Sequence, residues 1–208
     1  MDRARGDLNK PVRKVAILIF DEVEVLDFCG PFEVFSLAGR SLNEKPFEVF
    51  TVAEGAGPVV ARNGLSVNPR CTIAACPQPD ILIVPGGYGT RREMHNHALT
   101  DWIRAQAEKA ELVMSVCTGA LLLARAGLLD GLAATTHFGA LDLLCETAPH
   151  TLIQPGQRFI DNGRVLVSAG VSAGIDLSFH IVQRLLGHEV AAETARWMEY
   201  DWKGNAAQ

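Results

Sequence analysis

The sequence predicts an α/β fold with a mostly parallel central sheet, helices on both faces and small antiparallel hairpin excursions. Three observations carry this. Strand-like and helix-like segments alternate for most of the length. The strongest apolar runs, KVAILIF from Lys14 and ILIV from Ile81, are nearly continuous. Such runs suit strands covered on both faces, whereas half-exposed strands alternate. Two segments, around Asn63-Gly64 and Asn162-Gly163, place a turn dipeptide between β-branched or apolar runs, the signal of a hairpin.

The elements follow in order. KVAILIF is the first strand. After the polar stretch DEVEVLDFCG, the pair Gly30-Pro31 predicts a helix start, with Pro31 where its missing N–H costs nothing. That helix ends at Gly39. FEVFTVA from Phe47 is the second strand, and VVARNGLSV the first hairpin. ILIVPGG leads from a buried strand into a glycine-rich loop. Thr100 is expected to cap the helix DWIRAQAEKA. LVMSV is a strand, followed by a helix from Thr118 to Ala126 that Gly127 ends. Leu132 to Thr135 reads as a short strand and FGALDLL as helix. RFIDNGRVLVSAG is the second hairpin. Asp176 to Leu186 and Val190 to Met198 close the chain as helices. Neither a repeat nor a linker interrupts the pattern, so one domain is expected over residues 14–200, between polar tails at 1–13 and 201–208.

The 208 residues are 48% hydrophobic, enough for one well-buried core and short for two. Net charge is −5, and the 19 Lys and Arg are scattered, which argues against a nucleic-acid surface. The polar N-terminus lacks a signal-peptide apolar region, and the run after it is too short to span a bilayer. A cytoplasmic protein with no membrane partner is expected. The five cysteines (29, 71, 76, 117 and 145) are odd in number and do not read as a disulfide framework. Cys71 and Cys76 lack further ligands nearby in sequence, and His95-x-His97 lacks a third, so no metal site is expected.

Cys117 stands out within SVCTGA. Strand, tight turn and helix form an elbow that exposes a nucleophile, with Ser115 and Gly119 at the small positions. Helix N–H groups aimed at the thiol would lower its pKa. The other reading is a buried structural cysteine. Loops leaving strand carboxyl ends gather in such a sheet. Two more of them carry candidates. Asp27, between Leu26 and Phe28, is the acid expected to turn inward, while Asp21, Glu22 and Glu24 form a solvated face. Gly86 and Gly87 let backbone approach a ligand, and with the Thr118 amide a glycine N–H could form an oxyanion hole.

The segments LDFCGPFEVF, IVPGG, SVCTGALLLARAGLLDG and ATTHF together resemble the ThiJ/PfpI superfamily, also called class I glutamine amidotransferase-like, and within it the isonitrile hydratase branch. The resemblance implies a flavodoxin-like three-layer sandwich, a homodimer, a small-molecule substrate and no metal or organic cofactor. It carries the branch's acid onto Asp27, its cysteine onto Cys117 and its threonine onto Thr118. Protease-like and amidase members place a histidine directly after the cysteine; Thr118 stands there instead. His137, 20 residues on, is an auxiliary candidate, and a structural histidine is the favoured reading. Some regulators of the superfamily add DNA-binding helices, for which the sequence after Leu186 is too short. The implied activity is a lyase reaction, hydration of an isonitrile to an N-substituted formamide. Glyoxalase-like chemistry on dicarbonyls and a non-catalytic small-molecule or redox sensor are the alternatives.

Overall fold

A computed structural model describes residues 12–42 and 45–204. Residues 1–11 and 205–208, where most of the two expected tails fall, lie outside the described residues. The strands are β1 (Arg13–Leu18), β2 (Phe47–Ala53), β3 (Val59–Val60), β4 (Ser66–Val67), β5 (Cys71–Thr72), β6 (Ile81–Val84), β7 (Leu112–Val116), β8 (Ala133–Ala134), β9 (Leu152–Ile153), β10 (Phe159–Asp161) and β11 (Val165–Ser168). The helices are α1 (Val25–Leu37), α2 (Thr90–Glu93), α3 (His97–Lys109), α4 (Gly119–Arg125), α5 (Leu141–Thr147), α6 (Ala173–Leu186) and α7 (His188–Trp197).

Seven strands form the central sheet in the order β10-β11-β7-β6-β1-β2-β5, parallel except for β10. Its centre is dry. Val15 to Leu18, Ile81 to Val84 and Val165 to Val167 are buried, as their continuous apolar character requires. Helix α1 packs with α6 and α7, while α4 packs with both α3 and α5. The result is the expected three-layer α/β sandwich. Both hairpins form: β3 pairs with β4 around Asn63, which takes a positive φ of 62°, and β10 pairs with β11. Among the described residues no helix is long and apolar enough to cross a membrane.

Three expectations are corrected. The first helix begins at Val25, not at Pro31, which sits in its interior. Apolar residues from Val25 onward give this helix enough burial to outweigh the hydrogen bond that Pro31 removes. The cap of α3 is Asn96, whose side chain accepts from the Leu99 N–H; the Thr100 hydroxyl instead donates back to the Asn96 carbonyl inside the first turn. Arg13 belongs to β1 and not to a tail, because its guanidinium is paired with Glu111 at 2.7 Å.

The chain winds from β1 outward to β2, then returns to the opposite side of β1 through β6 and β7. That reversal leaves a crevice at the carboxyl ends of β1 and β6, the place where open α/β sheets hold ligands. The loops after β1, β6, β7 and β11 therefore converge.

Candidate active site

Each of these loops contributes one part. The turn after β1 is stitched to the loop after β6. Val23 bridges Gly87 in an isolated antiparallel pair, and Glu24 N–H donates to the Gly86 carbonyl at 2.9 Å. This pins the start of α1, whose first turn carries Asp27. The carboxyl is fully buried, as expected of an acid between Leu26 and Phe28. Its Oδ2 accepts from the Gly86 N–H at 3.0 Å, while Oδ1 is buried with no N–H or O–H partner among the described residues.

Cys117 directly follows β7 with φ +56°, a left-handed conformation that is uncommon outside glycine. The strain, of order 1–3 kcal/mol, is held in place from both sides. Its N–H lies 3.2 Å from the Ser168 carbonyl and 3.1 Å from that of Ala169, and its own carbonyl accepts from the Thr136 hydroxyl at 2.7 Å. Two glycines make room for the elbow. A Cβ at Gly119 would overlap the Val84 carbonyl oxygen, and one at Gly86 would stand 2.8 Å from Asp27 Oδ2 and 2.7 Å from Thr118 Oγ1.

The sulfur is almost enclosed. Asp27 and Cys117 hydrogen-bond through their side chains, and the backbone N–H groups of Thr118 and Val171 face the thiol. The Val171 N–H also supports Asp27. Val171 holds φ +51°, costly for a β-branched residue. Sequence reasoning missed it. A signal was there: VLVSAGVSAG runs from an apolar strand into small residues, the same pattern as LVMSVCTGA.

Burial pushes the Asp27 carboxyl up to about 7, against the opposing pull of the Gly86 N–H. Burial, and then the charge of Asp27, push the Cys117 thiol up to about 12. This reverses the expected lowering by the helix. The two facing N–H groups favour a thiolate, but desolvation and a carboxylate neighbour outweigh them.

Gly86, Gly87 and Thr118 are also used differently from the expectation. The Gly86 N–H is committed to Asp27. The Gly87 N–H donates to Thr118 Oγ1 at 3.0 Å, and that hydroxyl donates in turn to the Gly87 carbonyl at 3.1 Å. These groups lock two loops together. The amides facing the sulfur are those of Thr118 and Val171.

His137 is half-buried on the wall of a neighbouring cavity of about 460 Å³, with Thr136, Phe138, Leu141, Arg158 and Val171. Its Nδ1 accepts from the Gly139 N–H at 3.1 Å, and among the described residues no hydrogen bond joins it to Cys117 or Asp27. The cavity borders the elbow through Thr136 and Val171. A second cavity of about 330 Å³ lies at the ends of β1 and β2, beside Asp21, Glu54 and Glu93. His95 and His97 are exposed, and no group of three His, Cys, Asp or Glu that could hold a metal occurs among the described residues.

The site is thus a parallel α/β sheet that presents a strained cysteine at the end of a central strand, against a buried acid. The chain belongs to the DJ-1/PfpI family, whose sequence pattern matches residues 13–184. It is 36% identical over 187 residues to isonitrile hydratase of Pseudomonas putida, covering 90% of this chain and 78% of that protein. It is 28% identical over 193 residues to the HTH-type transcriptional regulator GbdR of Pseudomonas aeruginosa, where it covers 93% of this chain and only 52% of the regulator. Among solved structures, a ThiJ/PfpI family protein from Pseudomonas syringae superposes with a TM-score of 0.83 at 28% identity. That match covers 100% of this chain and 86% of the other. Drosophila melanogaster DJ-1beta shares the fold, with a TM-score of 0.80 at 18% identity over 92% of this chain and 100% of that one.

Proposed function

We propose that the protein is a hydro-lyase that adds water to an isonitrile, giving an N-substituted formamide, with Cys117 and Asp27 as its catalytic residues. The observation that carries this reading is the buried Asp27 carboxyl hydrogen-bonded to the Cys117 thiol, with threonine in place of a histidine directly after the cysteine. The identity to the Pseudomonas putida enzyme supports the same substrate class.

Between pH about 7 and about 12 the pair holds one proton, and that proton belongs to both groups. Asp27 takes it as Sγ bonds to the terminal isonitrile carbon, then delivers it to that same carbon. The adduct is a thioimidate. Water adds to the carbon with the Asp27 carboxylate as base; one water proton passes to nitrogen, the C–S bond breaks, and the other returns to sulfur. The sum is isonitrile plus water giving formamide. The Thr118 and Val171 N–H groups support the sulfur while it carries negative charge. The cavity at Phe138 and Leu141 offers apolar space for the isonitrile substituent. In a second route Asp27 activates water directly and Cys117 is the acid. Mass spectrometry of an acid-quenched reaction separates the two, since only the first leaves substrate bound to Cys117.

Purified protein incubated with simple alkyl isonitriles is expected to yield N-alkylformamide by NMR, and Cys117→Ala to lower the rate at least about 10³-fold. The doubly protonated pair lacks a base, so kcat/KM should rise with pH through an apparent pKa of about 7. Absence of formamide over a range of isonitriles, with consumption of methylglyoxal, would replace this reading with the dicarbonyl one. Silence toward both would leave the sensor.

A further inference from the structure

We propose that Cys71 and Cys76 form a second thiol site, independent of Cys117, that closes reversibly to an intramolecular disulfide. Cys71 opens β5, the edge strand of the central sheet, and is held in register opposite Val52. A single 3-10 turn, Ile73–Ala75, follows and ends at Cys76. Ile73 packs against the core and anchors that turn. The reversal brings residues five apart in sequence face to face, and the two thiols hydrogen-bond to each other. Both side chains are half-buried, so solvent reaches the pair. The Cys76 sulfur also lies 3.3 Å from the Pro77 carbonyl. Cys145, by contrast, is exposed on α5, and Cys117 is buried at the elbow.

Two thiols set side by side by one short anchored turn need little backbone movement to bond. The oxidant is a peroxide. One thiolate attacks a peroxide oxygen, giving a sulfenic acid and releasing water or an alcohol. The other sulfur displaces the hydroxyl as a second water, and the S–S bond forms. In sum, two thiols and one hydrogen peroxide give one disulfide and two waters. Burial and the neighbouring Cys71 sulfur push the Cys76 thiol up, and either sulfur can make the first attack while the other resolves it.

Trypsin releases both cysteines on one peptide, residues 71–91. After stoichiometric hydrogen peroxide and alkylation in denaturant, that peptide is expected to be two hydrogens lighter and unalkylated. Dithiothreitol should restore two alkylatable thiols. Cys71→Ser and Cys76→Ser should each abolish the loss of hydrogens, whereas Cys117→Ala should retain it, separating this site from the hydration chemistry. Phenylarsine oxide, which bridges close thiols, should add once to the wild-type peptide and to neither serine variant. The proposal is overturned if peroxide oxidises the exposed Cys145 while both thiols of the peptide remain alkylatable. It is equally overturned if each thiol gains oxygen independently, or if disulfides form only between chains.

Discussion

Asp27→Asn is expected to lower kcat for isonitrile hydration by about 10²–10⁴-fold and, at the same time, to raise thermal stability above neutral pH. Asparagine keeps the size of the side chain and an oxygen for the Gly86 N–H, which now bonds Oδ2 at 3.0 Å. It cannot exchange a proton with Cys117. The stability gain follows from linkage. The folded carboxyl is raised from 3.8 to about 7, so the folded state prefers the protonated form. That preference is fully present below pH about 4 and is lost as pH rises through about 7. Above it the protein holds an ionised, desolvated carboxylate at a cost of up to about 4 kcal/mol. The amide removes this penalty but buries an NH₂ against sulfur, which returns about 1–3 kcal/mol. The net Tm gain at pH 8 should be about 2–10 °C, shrinking to zero or below at pH 4. Scanning calorimetry at both values decides it. An equal change at pH 4 and pH 8 would mean that Asp27 is not the desolvated acid described here.

Gly119→Ala is expected to destabilise the protein by at least about 3 kcal/mol and to remove activity from whatever fraction folds. The added Cβ overlaps the Val84 carbonyl oxygen and stands 2.9 Å from that of Pro85, backbone atoms of the end of β6 and of the loop leaving it. Neither can swing aside as a side chain would. Either α4 lifts off β6 or the elbow unwinds. Both outcomes break the Thr118–Gly87 hydrogen bonds and displace Cys117 from Asp27. Gly127→Ala is the control. Gly127 has a positive φ, +74°, which Gly119 does not, but nothing lies within 4 Å of its Cβ position. It should cost only backbone strain, about 1–2 kcal/mol, with turnover retained. Urea denaturation of the two variants measures the difference. Similar costs would show that the close approach to β6 does not govern the elbow.

Much of this was legible along the chain. Continuous apolar runs such as KVAILIF identify strands covered on both faces, because only a sheet buried between helix layers tolerates them. Asn63-Gly64 and Asn162-Gly163 locate hairpins, because turn conformation is a local property of those residues. Asp27 could be singled out because a lone acid between leucine and phenylalanine cannot follow its neighbours inward without burying its carboxyl. Local logic misleads where burial competes with it. Pro31 has the propensity of a helix start, yet α1 runs through it.

By itself, then, the sequence determined the α/β class, the strand order along the chain and the strand–turn–helix at Cys117, and marked Asp27 as an acid placed to turn inward. These rest on periodicity and on neighbours a few residues apart. The tertiary structure alone decided which groups meet. It committed the Gly86 and Gly87 amides and the Thr118 hydroxyl to one another. It brought Val171 from a distant loop to the sulfur, and it reversed the expected direction of the thiol's pKa by enclosing it beside Asp27. It also set Cys76 against Cys71. Each of these depends on through-space distance and desolvation, which exist only once strands far apart in sequence have paired.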